Sequence, residues 1–180
     1  ADVYLVIAQT DRHKGSHGIN AFIVEKGMEG FHIGPKENKL GIRGSDTHTL
    51  QFNDVKVPKE NRIGDDGSGF RFAMRTLSGG RIGIAAQALG IASGAYELAL
   101  KYSKERKAFG TEICNHQAVA FKLADMYVDI EAARHLVMKA AWDKDQGNNY
   151  DVSSAVAKLY ASKVAMEHSV EAVQIGRAHV

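Results

Sequence analysis

The sequence has one cysteine, one tryptophan and two prolines, and its charges nearly cancel. A lone cysteine, Cys114, excludes an internal disulfide framework and fits a reducing compartment. A catalytic thiol is the sharper reading of Cys114, and a packed or idle thiol is the ordinary one. The formal net charge of +2, from 23 Lys and Arg against 21 Asp and Glu, gives no electrostatic footprint for nucleic acid. No HExxH, no CxxC pair and no GxSxG is present. The most membrane-like stretch, Ile82–Leu100, carries Gln87 and Glu97 and is interrupted by Gly83, Gly90 and Gly94, so it reads as too polar and too short to span a bilayer. The start reads as strand and not as a signal peptide, and a first residue other than methionine is expected of a truncated chain.

What is present falls into two halves. Both prolines, Pro35 and Pro58, lie in the first 63 residues, which read as strands. Val3–Ala8 and Ile19–Val24 are apolar runs rich in β-branched residues, separated by the polar, glycine-punctuated segment Asp11–His17, as in a hairpin. Phe31 and Ile33 alternate with polar neighbours, and Leu50, Phe52, Val55 and Val57 form a further strand-like stretch with a turn or bulge at Asn53-Asp54. Four short strands with polar turns predict an antiparallel sandwich or partial barrel. Residues 64–69, Gly-Asp-Asp-Gly-Ser-Gly, lack the lysine and spacing of a P-loop and read as a linker, with Ser68 as a candidate helix cap.

From Phe70 onward there is no proline, and three helices are legible. The first runs from Phe70 to Lys104 with a candidate bend at Gly79-Gly80. The second runs from His116 to Lys144, with Phe121, Leu123, Met126, Tyr127, Ile130, Ala133, Leu136 and Val137 at helical spacing. The run Gln146–Asn149 ends it, and Asp151 or Ser153 is expected to cap the third. Helices of about 25–30 residues joined by short turns form an antiparallel bundle. Gly83, Ala86, Gly90 and Gly94 are expected to let a neighbouring helix approach closely. The expected fold class is therefore α+β and multidomain: a β domain over 1–63, a linker over 64–69 and a helical bundle over 70–175. The eight histidines are scattered, and surface or packing roles are the ordinary reading of each; Glu105, Asp125 and Asp129 read as solvated helix faces. Pattern alone supplies no reaction.

Three runs carry a resemblance. They are Lys39-Leu40-Gly41-Ile42-Arg43-Gly44-Ser45-Asp46-Thr47; Gly69–Met74 continuing through Leu77-Ser78-Gly79-Gly80-Arg81-Ile82-Gly83 to Gly90; and Glu105-Arg106-Lys107-Ala108-Phe109-Gly110, followed by Gln117. In this order and register the chain closely resembles acyl-CoA dehydrogenases, most of all the short-chain or butyryl-CoA type. The resemblance implies an internal piece of a three-part fold: most of the middle β domain and the first helices of the C-terminal bundle, without the N-terminal helices, the segment that holds the flavin ring, or the last helices. It implies a flavoprotein oxidoreductase of fatty acid β-oxidation that uses FAD to oxidise the Cα–Cβ bond of an acyl-CoA. It also implies transfer of electrons to electron-transfer flavoprotein, a homotetramer built as a dimer of dimers, and a bacterial cytoplasmic or mitochondrial matrix location. An acyl-CoA oxidase, a glutaryl-type relative and a non-catalytic assembly protein of the same fold are the competing readings.

The resemblance also implies site residues. Ser78, Gly79, Gly80 and Arg81 would lie at the acyl-CoA, with Arg81 contacting its CoA part; the family's usual aspartate is replaced here by Ser78. The ordinary reading of Arg81 is a surface arginine packing its stem on the bundle. Arg106, Phe109, Gln117 and Gln174 would bind FAD, the first three across a subunit interface; a helix C-terminal charge is the ordinary alternative for Arg106 and core packing that for Phe109. No catalytic residue is expected within the chain. Gly80 stands where one branch of the family has its glutamate and offers no proton acceptor. Ser78 is a poor base without a partner, and Glu97 lies ~25 Å of helix beyond Gly80. The base is expected beyond residue 180, and the 180-residue piece alone is expected to be inactive. Residues 176–180, Gly-Arg-Ala-His-Val, match with Ile175 what a common sequencing adapter yields when translated, and are expected to be non-native.

Overall fold

The computed structural model describes residues 1–177 and divides into two compact units, Ala1–Met74 and Arg75 onward. In the first unit, the two β-branched runs form β1 (Val3–Gln9) and β2 (Ile19–Glu25), paired antiparallel from Val3 opposite Glu25 to Gln9 opposite Ile19. Side chains alternate across the pleat, so Val3, Leu5 and Ile7 share the exposed face of β1. A second antiparallel pair is formed by β3 (Phe31–Lys36) and β4 (His48–Phe52). Tyr4 of β1 meets Phe31 of β3 edge-on at 4.9 Å and so links the two sheets, while Phe31 stacks on its cross-strand partner Phe52 at 5.1 Å.

Three details depart from the sequence expectation. The β1–β2 connection is wound into 3-10 turns over Arg12–Gly18, with the Asp11 carboxylate accepting from the His13 N–H at 3.0 Å. The strand-like pattern at Val55 and Val57 is not a strand, because β4 stops at Phe52 and the chain turns away at Asp54 with φ of 52°. A fifth strand, β5 (Arg62–Ile63), adds to β2 and is too short to show any alternation.

The 64–69 segment is clamped to β2. Asn20, 2% exposed, donates through Nδ2 to Thr10 Oγ1 (2.8 Å) and Asp66 Oδ1 (3.0 Å), and its Oδ1 accepts from the Gly67 N–H (2.9 Å). The glycines are needed for this approach: a Cβ on Gly67 would stand 2.3 Å from the His17 carbonyl oxygen, and one on Gly69 2.6 Å from the Asn20 backbone. The Ser68 hydroxyl donates to the Asp65 carbonyl at 2.6 Å, so Ser68 caps the following helix through its own backbone carbonyl, which accepts from the Phe72 N–H, and not through its side chain.

Three helices follow: α1 (Gly69–Glu105), α2 (Gln117–Asp145) and α3 (Asp151–Gly176). Helix α1 is continuous through Gly79-Gly80. The shared core is made largely of alanines: Ala85, Ala88 and Ala92 of α1, Ala133 and Ala140 of α2, and Ala157, Ala161 and Ala165 of α3 are buried together with Ile130, Val137 and Val164, and the close backbone approach is between α2 and α3. None of the described helices approaches the glycine row, since added Cβ atoms at Gly83, Gly90 and Gly94 would meet nothing within 4 Å, and Ala86 is exposed. Phe121 and Tyr127 of the α2 pattern are likewise exposed. Helix α1 is also longer than the apolar stretch judged too short to span a bilayer: it has an 18-residue window of mean hydropathy 1.2 with at most two charged residues, long and apolar enough by length and composition to cross a membrane. Of the segment expected to be non-native, Gly176 ends α3 and Arg177 follows with φ of 50°, while residues 178–180 lie outside the described residues.

The α2–α3 corner is fixed from within. Asp143, 6% exposed, accepts from Lys139 Nζ at 2.5 Å, and its backbone carbonyl accepts from the Asn148 N–H at 2.9 Å. Asn149, and not Asp151 or Ser153, supplies the side-chain oxygen that accepts from an N–H of the first turn of α3, that of Asp151 at 3.0 Å.

These two anchors generate separate expectations. Asn20→Ala leaves the half-buried Gly67 N–H without its acceptor and is expected to cost about 1–3 kcal/mol in urea unfolding. For Asp143, the Lys139 hydrogen bond first, and then that from Ser153, hold the carboxyl below its ordinary value of 3.8. The folded pKa is the lower one, so the stabilisation is complete above the unfolded value and is lost as pH falls through the folded one. The acid limb of thermal unfolding below about pH 4 should therefore be shallower in Asp143→Asn than in the parent.

Candidate functional site

The residues singled out in the sequence gather at two places on the bundle. The first is the stretch Ser78–Arg81 on α1, which the fold brings against the α2–α3 corner. Ser78 is 7% exposed and its hydroxyl donates to Asp151 Oδ1 at 2.6 Å. Arg81 is half-buried and its Nη1 lies 3.4 Å from the same hydroxyl oxygen, a long and weak contact. A Cβ on Gly79 would stand 3.7 Å from Lys144 Nζ and 4.0 Å from the Tyr150 hydroxyl, so both groups lie beside this stretch of α1. Gly80 is exposed, with nothing within 4 Å of its Cβ position. The stretch thus combines two cationic side chains, one carboxylate and two hydroxyls around a backbone bare of side chains at Gly79 and Gly80. Asp151, Lys144 and Tyr150 were not among the residues expected here. Spacing along α1 offered Glu97 as the nearest following carboxylate, whereas the fold delivers Asp151 from 73 positions away.

The second place is the connection from α1 to α2. Arg106 continues the hydrogen bonding of α1 through its N–H to the Tyr102 carbonyl (2.9 Å), and its own carbonyl accepts from the Ile113 N–H (2.9 Å). Between them a two-residue hairpin joins β6 (Lys107–Ala108) to β7 (Thr111–Glu112), with Phe109 at φ 53° and Gly110 at φ 84°. Two left-handed residues in succession are what a tight hairpin of this twist requires. Glycine takes that conformation freely, but a phenylalanine is strained there by roughly 1–2 kcal/mol. Phe109 is nevertheless 96% exposed, so core packing within this chain does not explain it. Its ring meets that of His116 edge-on at 6.1 Å, and His116 Nε2 is 3.1 Å from the Ala108 carbonyl oxygen.

Arg106 and Gln117 are exposed beside this hairpin, Gln117 as the first residue of α2, where helical N–H groups lack intrahelical partners. Gln174 is exposed in the last turn of α3. Its neighbour Ile175 is buried with Ala99, Ile113, Leu123 and Met126, which puts the end of α3 at the same end of the bundle. An exposed guanidinium, an outward aromatic ring and an amide at a helix start are a donor set suited to a diphosphate joined to a flat ring system. Roughly 36 Å of continuous helix lies between Arg81 and Glu105, which precedes Arg106.

Among the described residues, the remaining chemical side chains gather into no third cluster. Cys114 is half-buried against the Ile113 cluster. His168 is buried, with Nε2 3.3 Å from Asp129 Oδ2, and Asp129 Oδ1 accepts from the Tyr160 hydroxyl at 2.8 Å, so Asp129 lies in an interhelical network and not on a simply solvated face. Among the described residues no group of three or more His, Cys, Asp or Glu could hold a metal ion.

Residues 1–55 match the family description "Acyl-CoA dehydrogenase, middle domain" and residues 67–176 "Acyl-CoA dehydrogenase, C-terminal domain". The chain is 57% identical over 175 residues to the short-chain-specific acyl-CoA dehydrogenase of Megasphaera elsdenii, an alignment covering 97% of this chain and 46% of the relative. It is 47% identical over 174 residues to the caffeyl-CoA reductase–Etf complex subunit CarC of Acetobacterium woodii, again over 97% of this chain and 46% of the relative. The structure of butyryl-CoA dehydrogenase from Megasphaera elsdenii superimposes with a TM-score of 0.93 at 56% identity, covering 97% of this chain and 46% of that one. The chain spans about half the length of the curated relatives it matches. With both units matched in order and at this identity, the chain belongs to the acyl-CoA dehydrogenase family.

Proposed function

We propose that the full-length protein is an FAD-dependent acyl-CoA dehydrogenase of the short-chain type, which converts an acyl-CoA to the trans-2-enoyl-CoA and passes the electrons to electron-transfer flavoprotein. The observation that carries this reading is the separation of two fitted clusters along one continuous helix. Ser78–Arg81, with Lys144 at its side, is a cationic patch beside bare backbone, suited to a thioester with an anionic CoA tail. The Arg106 end suits the diphosphate and adenosine half of FAD. The resemblance to the family implies that the Arg106 end meets the FAD of a neighbouring copy, so that the site needs at least a dimer.

Bound FAD would supply the hydride acceptor for the substrate β-carbon. The residues of this chain bind and orient: Arg81 holds the CoA part, Gly79 and Gly80 leave room for it, and Arg106, Phe109, Gln117 and Gln174 hold the cofactor. Removal of the α-proton is assigned to a glutamate beyond residue 180, since Gly80 offers no acceptor. A homotetramer built as a dimer of dimers accounts for the apolar rows facing outward: Phe70, Met74, Leu77, Ile84, Ile91 and Leu98 on α1, and Val152, Val156, Leu159, Met166, Val170 and Val173 on α3. The resemblance of the chain to a subunit of an Etf complex supports the electron-transfer partner. A bacterial cytoplasmic or mitochondrial matrix location accompanies this reading.

In the full-length protein, Arg81→Ala is expected to raise KM for butyryl-CoA by roughly 10–100-fold, the loss of one charge-assisted hydrogen bond or two. An unchanged KM would remove Arg81 from the substrate site. Arg106→Ala should purify with little flavin, read from the absorbance ratio of flavin to protein; full occupancy would refute the cofactor assignment.

A further inference from the structure

Asp151 opens α3, and its backbone N–H is satisfied by Asn149. Its carboxylate faces α1, where Oδ1 accepts the Ser78 hydroxyl proton at 2.6 Å. A serine hydroxyl has a single proton to give. With that proton committed to Asp151, the oxygen is left as an acceptor on the side that Arg81 Nη1 approaches at 3.4 Å. The three groups form a directed chain, from guanidinium to hydroxyl to carboxylate, which crosses from α1 to the first residue of α3. Donation to an ionised acceptor makes the hydroxyl a better acceptor in turn; Ser78 in the middle of the chain is buried, while Arg81 is half-buried and Asp151 exposed.

We propose that Asp151 is a positioning residue for Arg81, holding the guanidinium through the Ser78 hydroxyl in the orientation in which it meets the CoA part of the substrate. This rests on the reading of Arg81 as a substrate contact. A purely structural role, a strap tying α1 to α3, makes different predictions. Asp151→Asn keeps the shape and an acceptor oxygen but removes the charge. Ser78→Asp/Asp151→Asn moves the carboxylate across to α1, one link nearer the guanidinium.

The test measures KM and kcat for butyryl-CoA, together with Tm, in full-length Arg81→Ala, Asp151→Asn and Ser78→Asp/Asp151→Asn. With Arg81→Ala raising KM, Asp151→Asn should raise it about tenfold, with kcat within about twofold and Tm nearly unchanged. The double variant should bring KM back to within about threefold of the parent, because the charge facing Arg81 is restored. If Arg81→Ala raises KM and Asp151→Asn does not, the positioning role is overturned while the substrate assignment stands. If Asp151→Asn and the double variant both lower Tm and both raise KM, Asp151 is only a strap and the proposal fails. If Arg81→Ala leaves KM unchanged, the reading of Arg81 falls and the positioning role falls with it.

Discussion

Where α1, α2 and α3 share a core, most of the buried side chains are single methyl groups, and the close backbone approach is between α2 and α3. Ala85, Ala88 and Ala92 bring α1 into the same core. The first cluster is tied to this core by one polar contact. A seryl hydroxyl is short, and Ser78 meets the Asp151 carboxylate at 2.6 Å, which joins α1 to the start of α3. One residue on, Gly79 faces Lys144 and Tyr150.

An alanine seam has a thermodynamic consequence. Each buried methyl removes little apolar surface from water, on the order of 0.8 kcal/mol per carbon, against about 1.5–3 kcal/mol for a fully buried Leu or Ile. The larger side chains lie mostly on the other faces: Ile84, Ile91 and Leu98 on α1, Met138 and Trp142 on α2, Leu159 and Met166 on α3. A bundle with small residues inside and large ones outside gains less from its own folding than from being covered. This is the physical ground for reading the outward rows as surfaces that pack against further protein.

The legible part of the fold was the part written in periodicity. Alternation of β-branched residues marked β1 and β2, and helical spacing of Leu123, Met126, Ile130 and Val137 marked α2, because each pattern is produced by the burial it predicts. The errors came where pattern and packing separate. Gly83, Gly90 and Gly94 looked like a close-approach face because glycine permits contact, but none of the described helices meets them, and α1 enters the shared core through its alanines. The glycines at 67 and 69 looked like a linker, although they are fixed by their clearance from His17 and Asn20, which no local rule reports. Val55 and Val57 had strand-like spacing but no partner strand beyond Phe52.

The candidate site shows the same division. Arg106, Phe109 and Gln117 lie close together in sequence, so a motif could bring them together, and one hairpin carries them. The surroundings of Arg81 are assembled from three helices, and only the α1 portion is contiguous. Against the family pattern, serine at 78 reads as the loss of a carboxylate from the neighbourhood of the arginine. In space the carboxylate is present, one hydroxyl further away and carried by another helix. Charge near a functional group acts through distance and dielectric and is indifferent to which element delivers it. A substitution at one motif position can therefore leave the electrostatics of the site nearly intact when a second residue, invisible to the motif, stands on the facing helix.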